Sequence, residues 1–267
     1  MKNIHLVIAV IAALVLCGAG AAWYVFMRPS PVPSTTNVQA PTLPIAIGSS
    51  TRGAGYTITK LPGLKSSIPD LNHTTQFAAS VPPAIQTALT ASILIEQTAL
   101  KKDSTNAEHW LQLGLLYHEA DDFDAAKDVW LFLEQALPND TTAVGNLGRL
   151  YEFDVHDFAA AEHYFKEALS RKPGDVNIYT ELYELYRYSY KTDTSAAADI
   201  LKAGIAKFPD DAHFYLALGD YYLMKGDTAG AKAILTQGLA VARAANDTNT
   251  LNGINQDLSK LTAQDLK

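Results

Sequence analysis

Residues 110–117, Trp110-Leu111-Gln112-Leu113-Gly114-Leu115-Leu116-Tyr117, read as a strongly apolar helix with a glycine in its middle. Glycine in a helix interior costs about 1 kcal/mol relative to alanine. A helix that keeps one there needs the space a side chain would fill, so a second backbone or a bulky neighbour must pass close by. The same residue types return further along the chain, and this recurrence decides the fold.

Counted from Ala107, Trp110 is the fourth position, Leu113 and Gly114 the seventh and eighth, and Tyr117 the eleventh. Ala126 is the twentieth, Trp130 the twenty-fourth and Pro138 the thirty-second. The next stretch carries Leu147, Gly148, Tyr151, Ala161, Phe165, Ala168 and Pro173, with one extra residue between its helices. A third has Tyr179, Leu182, Tyr186, Ala197, Leu201, Gly204 and Pro209, with a longer turn and Tyr183 in place of the glycine. A fourth has Tyr215, Leu218, Gly219, Tyr222, Ala231, Leu235 and Gly238, with Arg243 where the proline would stand. The three prolines are 35 and 36 residues apart. This spacing resembles the tetratricopeptide repeat, a helix-turn-helix unit of about 34 residues.

The resemblance implies an all-α fold, a right-handed superhelix of helix-turn-helix repeats, with units at 107–140, 141–175, 176–211 and 212–245. It also implies a reason for the glycine: the two helices of a unit cross where Gly114 faces Ala126, Gly148 faces Ala161 and Gly219 faces Ala231. Each large side chain packed around that crossing stabilises by roughly 1.5–3 kcal/mol, which outweighs the propensity cost. Tyr183 opposite Ala197 predicts a splayed or shifted pair in the third unit. Each proline ends a second helix.

Stacked repeats need ends. Residues 83–102 read as an N-terminal capping helix with a stripe at Ile85, Leu89, Ile93 and Leu100, and residues 246–267 as a C-terminal one carrying Leu251, Ile254, Leu258 and Leu261. Residues 28–82 form a Pro/Ser/Thr-rich linker and an irregular segment, laid along the helices through Leu61, Leu64 and Leu71. A short strand around Tyr56, Ile58 and Lys60 is the rival reading there. Gly48 to Gly53 resembles the opening of a phosphate loop, but Ala54 stands where lysine is needed.

Residues 4–27 are apolar except for His5, long enough to span a bilayer, and end in Trp23, Tyr24 and Phe26 before Arg28. A transmembrane anchor is the expectation. A cleaved signal peptide, cut near Ala19-Gly20-Ala21, is the rival, although the apolar run continues past that point. Leu16 before Cys17 is too bulky for a lipoprotein signal. Lys2 and the terminal amine favour a cytoplasmic N-terminus and an extracytoplasmic repeat domain.

The formal net charge is −7. Residues 107–245 hold 22 acidic residues against 12 basic ones. That balance excludes an ordinary nucleic-acid binder, which needs a basic face. With one cysteine, no intramolecular disulfide is possible. No protease, hydrolase or metal-spaced pattern stands out; the acidic turn Glu119 to Asp124 lacks the glycine and distal glutamate of a calcium loop. No cofactor, metal or catalytic residue is expected. Tyr179, Tyr183 and Tyr186 fall on one core stripe, whereas Tyr188 and Tyr190 fall outside it.

From the resemblance, a concave groove lined by the first helices would bind proteins or peptides. Its lining here is Glu108, Gln112 and His118, then Asn146, Arg149 and Glu152, then Asn177, Thr180, Glu181, Glu184 and Arg187, and finally His213 and Asp220, with Arg149, Asn177 and Arg187 at the centre. A chaperone-type carboxylate clamp is excluded, because of Leu111, Leu115, Asn146, Asn177 and Glu181 only Asn146 matches. The expectation is a membrane-anchored scaffold for protein partners, with self-association through cap faces such as Leu89 and Ile93 also open. A non-catalytic subunit of a membrane enzyme or secretion complex is the alternative. A third reading, an enzyme with its site in residues 45–82, would require ordered structure there.

Overall fold

The computed structural model describes residues 61 and 68–264. The expected anchor at 4–27, most of the 28–82 segment (the phosphate-loop and strand readings and Leu64 included) and the last three residues lie outside the described residues. Among the described residues there are ten helices and no strand. None of these helices is long and apolar enough to cross a membrane.

The helices fall where the repeat register puts them. α1 (Pro83–Lys102) is followed by α2 (Ala107–Glu119) and α3 (Phe123–Ala136) of the first unit. The second unit is α4 (Thr142–Arg149), which runs on as a π-helical turn (Leu150–Asp154), and α5 (Phe158–Arg171). In the third, α6 (Val176–Glu184) also ends in a π turn (Leu185–Ser189) before α7 (Ala196–Lys207). α8 (Ala212–Met224) and α9 (Thr228–Ala245) make the fourth, and α10 (Thr248–Gln264) closes the array.

Start signals repeat from unit to unit. Each first helix has an Asn or Asp just before it that accepts backbone N–H groups otherwise left without partners: Asn106, Asp140, Asp175 and Asp211. Stop signals repeat too. α3, α5 and α7 each end two residues before Pro138, Pro173 and Pro209, and the residue preceding each proline has left the helical region. Position four then ties that corner down. Trp110 Nε1 donates to the Ser104 carbonyl at 2.9 Å, Tyr179 Oη to Pro173 at 3.3 Å and Tyr215 Oη to Pro209 at 3.1 Å.

The extra residue of the second unit is absorbed without disturbing the turn. Val155 N–H reaches back five residues to the Leu150 carbonyl at 3.0 Å, a π bulge that takes up the insertion inside the helix. The third unit does the same with Tyr190 and Leu185 at 2.7 Å. Each inter-helix turn then carries one left-handed residue: Asp121, His156, Lys191 and Gly226. Only the last of these is the residue that conformation favours.

The glycines do make room, but for a different neighbour. A Cβ on Gly114 would sit 2.5 Å from Trp130 Nε1, one on Gly148 2.5 Å from the Phe165 ring, and one on Gly219 2.3 Å from Leu235. The nearest occupant is thus the large residue one helical turn beyond Ala126, Ala161 and Ala231, not those alanines. The alanines are buried at the same crossings. In the third unit Tyr183 stays in the core, with its hydroxyl accepting from Arg187.

One further expectation needs correction, and the reading of the segment before α1 as irregular chain laid on the helices holds where that segment is described. Leu89 and Ile93 of α1 are buried inside the chain and are not free to pair with another copy; the exposed apolar residues of that helix are Leu94 and Ile95. The segment before α1 is irregular but ordered against the first unit. Leu61, Leu71 and Val81 are buried. Leu61 N–H donates to the Thr105 carbonyl at 2.6 Å. Asp122, buried at the start of α3, accepts from Gln76 N–H at 2.7 Å and pairs with His73 Nε2 at 2.7 Å. Gln97 of α1 bridges the His73 carbonyl and the Tyr117 hydroxyl, both at 3.0 Å. Asp157 and Asp227, in the place of Asp122, cap their own helices instead. The segment is a strap, held by a carboxylate diverted from capping.

Candidate functional site

The first helices α2, α4, α6 and α8 carry the predicted lining, and the structure sorts it into residues already engaged and residues still open. His118 Nε2 pairs with Asp154 at 2.8 Å and its ring lies against Phe123 and Trp130, so it joins the first two units. His213 pairs with Asp211 at 2.9 Å and lies 3.7 Å from Asp247 beside the closing helix. Gln112 and Asn146 are half-buried, and Asn177 is exposed in the first turn of α6.

The charged centre is denser than the sequence register indicates. Arg149 of α4 reaches Glu181 of α6, its Nε donating at 2.7 Å. Glu181 adjoins Glu184, and both act on Glu152, which sits in the π turn of the second unit. Glu152 is 3% exposed and hydrogen-bonded to Ser189 of the next π turn, yet its Oε2 has no partner. Burial, then repulsion from Glu181 and Glu184, pushes its carboxyl up to about 8. Glu184 is raised by burial and by Glu181.

Arg187 stands between this group and the fourth unit. It donates to the Tyr183 hydroxyl, lies 4.9 Å from the Tyr188 ring centre, and faces Glu184 and Asp220 electrostatically. Its Nε is buried without a partner. Asp220 is pushed up to about 6 by burial and by a hydrogen bond shared with Asp257 of α10, which Lys260 pairs at 2.7 Å. Of the expected cluster of Arg149, Asn177 and Arg187, the two arginines both act electrostatically on Glu184, and Asn177 is exposed in the first turn of α6. Five carboxylates meet three cations in this band.

Sequence reasoning passed over a row of exposed apolar residues. Phe153, Tyr188 and Met224 stand at the thirteenth position of the second, third and fourth units, each more than half exposed. The signal was present as an identical offset, although Tyr188 alone drew attention as lying outside the core stripe. Tyr179, Tyr183 and Tyr186 are buried as the stripe requires, and Tyr190 is half-buried near Phe158. Phe153 follows the buried Glu152, and Tyr188 follows Arg187, whose guanidinium lies over its ring.

Residues 191–247 match a family model described as tetratricopeptide repeat. No curated protein matches the chain. Among solved structures, MamA is 20% identical, with a TM-score of 0.48, over 61% of this chain and 94% of that one. YrrB, described as a TPR protein with an unusual peptide-binding site, is 17% identical over 65% of this chain and 86% of that one, at a TM-score of 0.45. A tetratricopeptide repeat protein from Parabacteroides merdae is 18% identical over 67% and 73%, at 0.42. The family match runs from the turn of the third unit to just past the end of the fourth, and the same caps, corners and glycine contacts recur in the units before it. Over residues 191–247 the chain is similar to the tetratricopeptide repeat family.

Proposed function

We propose that the chain is a non-catalytic scaffold that holds a segment of a partner protein along the face made by α2, α4, α6 and α8, and that residues 4–27 anchor it in a membrane with the repeats on the extracytoplasmic side. The observation that carries this reading is the row Phe153, Tyr188 and Met224, three large apolar side chains held out at one offset of successive repeats. A folded chain gains nothing from exposing them, and a repeating row is what an elongated ligand would need. The neighbouring charges supply specificity, since a wrong partner would leave them unpaired.

The test is capture from the native membrane. Full-length protein with a photo-crosslinking residue at Met224 is compared with a Phe153→Ser, Tyr188→Ser variant, and crosslinked proteins are identified by mass spectrometry. Both substituted positions are exposed, so the fold should persist. Arg149 and Arg187 are poor choices, because reversing either charge adds a carboxylate beside Glu181 or Asp220. A partner captured by the wild type and lost in the variant supports the reading; identical capture by both overturns it. Deleting residues 4–27 should move the protein from the membrane to the soluble fraction.

A further inference from the structure

The two ends of the array are finished differently. The outward residues of α10 are polar, with Asn249, Asn252, Asn255, Gln256 and Ser259 exposed, as the last helix of a stacked array needs in water. α1 turns Leu89, Ile93, Gln97 and Leu100 onto the array and exposes Ala84, Thr87, Ala91, Leu94, Ile95 and Thr98 on the opposite side. These residues follow a three- and four-residue spacing, so they form one stripe along the helix. Leu94 and Ile95, near its middle, are 57% and 65% exposed. The hydroxyls of Thr87 and Thr90 are turned back onto the Pro83 and Gln86 carbonyls at 3.0 and 2.7 Å, so they need no donor or acceptor from a neighbour. Glu96, the one acidic residue of α1, is tied to His109 at 2.7 Å.

The ends of this stripe carry opposite charge. Lys101 and Lys102 are exposed at its C-terminal end. α2 packs back along α1 and brings the acidic turn Glu119 to Asp124 beside the start of α1, where Ser80 Oγ donates to Asp121 at 2.8 Å. A stripe with an apolar middle and opposite charges at its ends is complementary to itself turned end for end. We propose that α1 is the contact between two copies of this chain, packed antiparallel about a two-fold axis between Ala91 and Leu94. Thr87 of one copy then lies over Thr98 of the other and Ala91 over Leu94, while Lys101 and Lys102 reach the acidic turn of the opposite copy at both ends. A parallel pair would set lysines on lysines. Residues 107–245, with 22 acidic residues against 12 basic ones, repel their counterparts and confine the contact to α1. One pair of helices about 30 Å long is a small interface, so the dimer dissociates on dilution. The contact uses none of the groove residues.

The experiment uses the full chain in mild detergent, with Cys17→Ser to remove the native thiol and single cysteines placed on α1. Under mild oxidation Ala91→Cys should form a disulfide dimer. Thr87→Cys and Thr98→Cys should each stay unlinked alone, because about 16 Å of helix separates either residue from its own counterpart, and should link when mixed. Adding Leu94→Glu, Ile95→Glu at these exposed positions should abolish the mixed link, with circular dichroism confirming the fold. Light scattering should show the wild-type mass doubling with concentration, and Lys101→Glu, Lys102→Glu should weaken dimerisation by about tenfold, with Glu119→Lys restoring it. A single mass at every concentration, or a dimer indifferent to the Leu94 and Ile95 changes, overturns the proposal. So does linking of Thr87→Cys and Thr98→Cys as readily alone as mixed, which an antiparallel pair forbids.

Discussion

Two glycines of α4 separate helix propensity from packing within three residues. A Cβ at Gly145 would meet only Ile178 Cδ1, at 4.0 Å, whereas one at Gly148 would lie 2.5–2.6 Å from two Phe165 ring carbons. Both substitutions by alanine gain about 1 kcal/mol of helix propensity. Gly145→Ala keeps that gain. Gly148→Ala must push the fully buried Phe165 ring away by about an ångström, and overpacking of this kind costs about 1–3 kcal/mol. Gly145→Ala should thus stabilise by about 0.5–1 kcal/mol and Gly148→Ala should destabilise by about 1 kcal/mol. Propensity cancels in their difference, leaving roughly 2 kcal/mol of packing. Urea unfolding followed at 222 nm reads both, with unchanged m values showing that the unfolded states compare. Equal shifts, or a stabilising Gly148→Ala, would refute the close approach as the reason for the repeat glycine.

Glu152→Gln tests the buried carboxyl. The folded chain holds this proton to about pH 8 while an unfolded chain releases it in the ordinary carboxylate range, so the folded state binds more protons across that window and the wild type loses stability as pH rises through it. The variant should match the wild type near pH 4 and exceed it at pH 9 by a few kcal/mol, on the order of 3; urea midpoints that differ equally at both pH values would count against the burial. Asp122→Ala removes the acceptor of His73 and Gln76, costing about 2 kcal/mol and freeing the strap. Chymotrypsin should then cut after Phe77, which it spares in the wild type; equal cutting would mean the strap is not held by Asp122. Trp110→Phe keeps the ring but loses the 2.9 Å bond to Ser104, and should cost about 1 kcal/mol in thermal or urea unfolding. No change would mean that this hydrogen bond does not stabilise the corner between α1 and α2.

What the sequence determined by itself is the repeat. Asn106, Asp140, Asp175 and Asp211 start helices and Pro138, Pro173 and Pro209 follow their ends because caps and prolines act on backbone groups a few residues away, and such effects are legible in spacing. The two capping helices were legible for the same reason, as was the Tyr179, Tyr183, Tyr186 stripe. The tertiary structure alone decided which atoms from different elements meet. It put Trp130, rather than Ala126, over Gly114, because a side chain reaches a full turn beyond the Cα crossing. It laid the strap on Asp122, a residue whose local context predicts only a helix cap. It paired His118 with Asp154, and it buried Glu152, which the register puts on the groove lining. Those outcomes depend on how one repeat lies against the next, and π turns of a single extra residue reset that placement where no periodicity records it.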